Sequence, residues 1–138
     1  MVNILLLGHG NYAKGVWETA QMIAGPQDNV KYLTIAYDDD LDQYKNKIEK
    51  EILNSGEDGI LILTDLLGGS PFMISSRLYG KYKDQLPVEI VTGLNLPMLL
   101  QLITGDTAKS LAELKKDAVE FGRKGVIDFS ELCNANDF

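Results

Sequence analysis

Strand-like and helix-like runs alternate along the 138 residues, which predicts an α/β fold with an open, mainly parallel sheet. Two further observations point the same way. The runs Val2 to Leu7 and Gly59 to Leu63 are apolar almost throughout, as strands covered on both faces are. The runs between strands carry apolar residues on one face, as helices lying on a sheet do. Parallel strands need right-handed crossovers, so helices are expected on both faces of the sheet. The length suits a single domain over residues 1–138, with the flavodoxin-like strand order 2-1-3-4.

The elements follow in order. Val2 to Leu7 is short, apolar and ends at Gly8, so it is a buried strand. Tyr12 to Ala24 is a helix with Ala13, Val16, Trp17, Ala20 and Ile23 on its inner face and Gly25-Pro26 as its stop. Val30 to Ala36 is the second strand. In Asp38-Asp39-Asp40 one aspartate caps the next helix and the others favour its positive end, a simpler account than a metal site. Leu41, Tyr44, Ile48 and Ile52 face inward on that helix. Gly59 to Leu63 is the third strand, and a helix follows from Pro71 to about Tyr82. Val88 to Val91 is the fourth strand, Pro97 to Ile103 a short helix, and Ala108 to about Phe121 the last helix. Val126 to Phe129 is expected as a short final strand, paired with the chain's own sheet or exchanged with a second copy.

Bulk properties exclude several classes. The net charge of −7 argues against non-specific nucleic-acid binding and against an anionic membrane surface. The acidity suits a basic protein partner, or solubility alone. No apolar run is long enough to span a bilayer, and the first residues lack the basic stretch of a secretory signal. Cys133 is the only cysteine, so no internal disulfide forms, and a reducing cytoplasm is expected.

The chain has one histidine, His9, between two glycines at the end of the first strand. Neutral imidazole carries a nucleophilic nitrogen, and ligand sites in open α/β sheets lie beyond the carboxyl ends of strands. The order 2-1-3-4 puts the loop after the third strand beside it. That loop reads Thr64-Asp65-Leu66-Leu67-Gly68-Gly69-Ser70-Pro71-Phe72. Asp65 is placed to accept a hydrogen bond from one ring nitrogen, fix the tautomer and leave the other nitrogen free. In Gly68-Gly69-Ser70-Pro71, Ser70 suits an N-cap and Pro71 the first helical position. Alone this is an ordinary capped entrance. Beside a nucleophilic histidine and an orienting aspartate, Gly68, Gly69 and Ser70 form an anion cradle, and phosphate fits it. There is no P-loop, no dinucleotide fingerprint and no zinc-ligand spacing, so no cofactor and no metal are expected.

The stretches LLLGHGNYAKG, ILTDLLGGSPF, VTGLNLPMLL and FGRKGV resemble the A component (EIIA) of the mannose-type sugar phosphotransferase system. The resemblance implies that His9 takes a phosphoryl group on Nε2 from the phosphohistidine of the carrier HPr. It implies transfer onward to a B component (EIIB) during sugar uptake, with Nδ1 bonded to Asp65 and Ser70 and its loop touching the phosphoryl group. It also favours a homodimer that exchanges the C-terminal strand. Met73 stands where the family often has asparagine and Leu67 where it often has an aromatic residue; both belong to the expected partner surface. One histidine holds one phosphohistidine, so the B component is expected on a separate chain. Rival readings are the phosphotransfer subunit of a dihydroxyacetone kinase, a regulatory module that senses phosphorylation, and a metal-dependent hydrolase built on the three aspartates.

Overall fold

The computed structural model describes residues 1–106 and 108–135. Four parallel strands lie in the order β2-β1-β3-β4, as the sequence predicts. They are β1 (Asn3–His9), β2 (Val30–Ile35), β3 (Ile60–Thr64) and β4 (Val88–Thr92). The helices are α1 (Tyr12–Ala24), α2 (Leu41–Leu53), α3 (Gly69–Tyr82), α4 (Leu96–Thr104), α5 (Leu111–Lys124) and α6 (Phe129–Asn134).

Side chains alternate across each strand, so each strand feeds two cores. Ile4, Leu6, Leu61, Leu63 and Val91 point to one face and pack with Ala13, Trp17 and Ala20 of α1, Leu99 of α4 and Leu114 and Ala118 of α5. Leu5, Leu7, Ile60, Ile62 and Val88 point to the other, against Tyr44, Ile48 and Ile52 of α2 and Ile74 and Leu78 of α3. β1 and β3, covered on both sides, hold most of the fully buried leucines and isoleucines. Asp40 caps α2 by accepting the backbone N–H groups of Asp42 and Gln43, and Asp39 accepts that of Ala36. The three aspartates are thus turn and cap residues, as their spacing suggests.

The structure departs from the sequence expectations at several places. The helix expected from Ala108 begins at Leu111, because Ser110 caps it by accepting the Glu113 N–H at 3.2 Å, and it is followed by α6. Ile23 and Leu41 are not core residues: they are 61% and 49% exposed. Leu41 opens α2 at the rim of a surface groove, one turn too early to reach the sheet. Ser70 is not the cap of α3. Gly68 takes that position, with φ +101°, and no side chain caps the helix. Two consecutive left-handed glycines, Gly68 and Gly69 (φ +74°), turn the chain into the helix before Ser70 is reached. Finally, Val126 to Phe129 is not a strand here. Residues 126–128 are irregular, and Phe129 begins α6. Asp128-Phe129-Ser130-Glu131 has the spacing of a helix-capping sequence, and Asp128 accepts the backbone N–H of Glu131 at 3.2 Å. The Ser130 hydroxyl and that N–H hold the Asp128 carboxyl below its ordinary range.

Candidate active site

His9 is the last residue of β1 rather than a loop residue. It lies in register with Ile35 of β2, and the next N–H, of Gly10, donates to the Ile35 carbonyl. The histidine is therefore fixed by the sheet on its backbone side while its ring reaches past the sheet edge, half-exposed. Asp65 directly follows β3, and its N–H donates to the Leu7 carbonyl at 3.0 Å. This pairing puts the two side chains at one edge, as the strand order requires.

The Asp65 carboxylate is tightly held. Its Oδ2 accepts the backbone N–H of His9 at 2.9 Å and lies 2.7 Å from His9 Nδ1. Its Oδ1 accepts the N–H of Leu66 at 3.0 Å. The side chain is only 10% exposed, whereas that of His9 is 50% exposed. A carboxylate in this position requires the proton on Nδ1, which leaves the lone pair on Nε2.

Gly69 lies against the other side of the ring. A Cβ on Gly69 would stand 2.7 Å from His9 Cε1 and 2.9 Å from Nε2. Only glycine accommodates both that contact and the left-handed backbone. Gly8 is less constrained: a Cβ there would make an ordinary contact with Asp65 Oδ2 at 3.5 Å and a tighter one, 3.3 Å, with the Ala13 nitrogen.

A groove of about 830 Å³ opens beside the ring, lined by His9, Gly10, Tyr37, Asp39, Leu41 and Ser70. Ser70 thus reaches the same space as His9, although it does not cap the helix. The first N–H groups of α3 have no intrahelical acceptors and open at this edge. Of the predicted site residues, Asp65 and Gly69 lie against His9 and Ser70 lines the same groove, while Gly68 stands one residue back as the N-cap of α3.

Two neighbours were not legible as site residues. Tyr44 lies in the core beneath the site, its hydroxyl donating to the Leu33 carbonyl. Burial pushes its phenol up, and the Asp65 carboxylate adds to this, so it stays neutral. Tyr12, at the head of α1, donates its hydroxyl to the Leu94 carbonyl at 2.5 Å. Helical spacing marks Tyr44 as apolar lining and gives no signal for the second bond, which spans 82 residues.

The family described as PTS system fructose IIA component, EIIA-man, matches residues 3–119. The chain belongs to the EIIA-man family. The mannose-specific EIIAB component of Escherichia coli K12 is 33% identical over 127 residues, which are 91% of this chain and 38% of that protein. The chain therefore spans well under half the length of its mannose-specific relatives. The sorbose-specific EIIA component of Lacticaseibacillus casei is 28% identical over 98% of this chain and 96% of its own length. The crystal structure of an EIIA component from Streptococcus agalactiae superposes with a TM-score of 0.86 at 30% identity, covering 95% of this chain and 99% of that one. The EIIA-man fold, with its strand order, is thus the fold found here. Among the described residues no helix is long and apolar enough to cross a membrane.

Proposed function

We propose that this EIIA-man chain is a phosphocarrier in sugar uptake, with His9 as its one phosphorylation site. The Nε2 lone pair attacks the phosphorus of a donor phosphohistidine, that of HPr. The new N–P bond forms as the donor's N–P bond breaks, and the electron pair of that bond returns to the donor ring. Asp65 retains the Nδ1 proton in its hydrogen bond and offsets the positive charge that develops on the His9 ring. The N–H groups at the head of α3 and the Ser70 hydroxyl receive the phosphoryl oxygens. An EIIB component then takes the group by the reverse displacement.

The observation that carries this reading is the 2.7 Å contact between Asp65 Oδ2 and His9 Nδ1. It commits one nitrogen to orientation and leaves the other facing Gly69 and the groove. The sorbose-specific EIIA component, matched along nearly its whole length, supports the reading of this chain as an A component. The test is incubation with phospho-HPr. His9→Ala should fold and accept no phosphoryl group; stoichiometric labelling of that variant would overturn the assignment.

The same reading includes a cytoplasmic homodimer. Val126 and Ile127 are 83% and 61% exposed, and Val126 adjoins a groove of about 660 Å³ between α5 and the open edge of β4. Joining of two copies through this segment would cover apolar surface and an unpaired strand edge together.

A further inference from the structure

We propose that Tyr12 is a positioning residue for His9, acting through a closed ring of hydrogen bonds that links three loops. The inference rests on the phosphocarrier reading of the site.

The ring can be followed atom by atom. The Tyr12 hydroxyl donates to the Leu94 carbonyl oxygen at 2.5 Å. The Leu94 N–H donates to the Thr64 carbonyl at 2.9 Å. Thr64 is followed in the chain by Asp65, whose Oδ2 holds both the backbone N–H and Nδ1 of His9. From His9 the chain runs through Gly10 and Asn11 back to Tyr12. The loops after β1, β3 and β4 are therefore fastened to one another at a sheet edge where β1 and β4 are not neighbours.

The need for such a fastening is visible in the turn it closes. Gly10, at φ +56°, has its N–H held by the Ile35 carbonyl at 2.8 Å, which anchors the turn on the β2 side and not on the side of β3 and β4. Asn11, the N-cap of α1, makes no side-chain cap bond, and α1 has no acidic residue in its first turn. The head of α1 therefore lacks the devices that usually fix a helix start. The Tyr12 hydroxyl supplies a fixed point, three residues after the nucleophile. It holds the turn while the His9 ring changes its charge and its load. Small displacements of a reacting atom cost large factors in rate, so a bond that fixes this turn acts on transfer more than on folding.

The test uses Tyr12→Phe, which keeps the ring and removes the hydroxyl. The probe is phosphoramidate, a small donor: Nε2 attacks its phosphorus, the P–N bond breaks, and ammonia leaves with a proton from water. No partner protein takes part, so docking is not read. The expected result is a roughly three- to tenfold slower phosphorylation of His9, the worth of one hydrogen bond. Nitrogen NMR of the unphosphorylated variant should also show a weakened Nδ1–H signal of His9, a readout that simple packing by Tyr12 would not move. Unchanged rate and unchanged His9 resonances would overturn the proposal. If the wild-type chain took no phosphoryl group on His9, the phosphocarrier reading would fall instead. The NMR comparison would then decide the tether alone: a weakened Nδ1–H signal sustains it, and an unaltered one overturns it.

Discussion

His9 and Asp65 form a pair whose parts are each committed by the backbone before the side chains meet. Two N–H groups and Nδ1 hold both oxygens of the Asp65 carboxylate, so its orientation survives exposure of the imidazole. Asp65→Asn keeps the size and one acceptor but loses the charge that, in the proposed transfer, would stabilise the phosphorylated ring. Its transfer rate from phospho-HPr should fall by about a hundred- to ten-thousandfold, by analogy with other His-Asp pairs, with donor binding retained. Rapid-quench transfer measurements check this. Gly69→Ala should be the more damaging change per atom added. The new methyl meets Cε1 and Nε2 below 3 Å and forces a left-handed backbone on alanine, so both stability and transfer should drop, the former by about 1 kcal/mol or more. Ser70→Ala separates two roles. Because Ser70 is not the cap, thermal stability should hold while transfer falls modestly; a loss of stability with transfer intact would mean that the hydroxyl serves the helix after all. At this scale the sequence was informative about chemistry and less so about contacts. His9, Asp65 and the glycines are recognisable because few residue types perform those tasks. The Tyr12 bond was not, because nothing local marks a hydroxyl whose acceptor is a carbonyl far along the chain.

Elements were legible where their pattern is long and strongly periodic. The bounds of α1, Tyr12 to Ala24, agree with the spacing of its apolar face and its Gly-Pro stop. Strand ends drifted by one or two residues, because β1 continues through Gly8 and His9 on hydrogen bonds that periodicity does not reveal. Val126 to Phe129 was misjudged because three apolar residues around one aspartate fit a short strand as well as a helix start, and the Asp128 cap decides between them. Two predictions belong here. Asp40→Ala removes the cap of α2 and should cost about 1 kcal/mol, read as a fall of a few degrees in thermal midpoint. The second concerns the tie between α2 and α3. Glu49 accepts from Lys81 at 3.0 Å and from the Tyr82 hydroxyl at 2.9 Å, which together hold its carboxyl below the ordinary range. A depressed folded-state pKa means stability that is fully present above the unfolded value and lost as pH falls through the folded value. Glu49→Gln should therefore lower the melting temperature at neutral pH, and the gap to wild type should close in acid; a gap independent of pH would show that the charge contributes nothing.

The whole molecule is a two-faced sheet that brings every loop of interest to one edge. That arrangement follows from the order β2-β1-β3-β4, which was predictable because strand-helix alternation leaves few allowed topologies. Surfaces were harder to foresee, since exposure depends on what the completed fold leaves uncovered. Val126 and Ile127 are one such surface, and a chain ending at Gly125 should stay monomeric if the proposed homodimer forms through them, as light scattering of the full chain and the truncation would report. A full-length chain that stays monomeric at high concentration would contradict the dimer and leave the chemistry at His9 untouched. In the proposed function one nitrogen, His9 Nε2, carries the phosphoryl group. Its most direct test is phosphorus NMR of the chain after reaction with phospho-HPr, alongside His9→Ala. One phosphoryl group per chain, bonded to Nε2, is expected, and none on the variant. A phosphoryl group on Nδ1, or on any other residue, would contradict it.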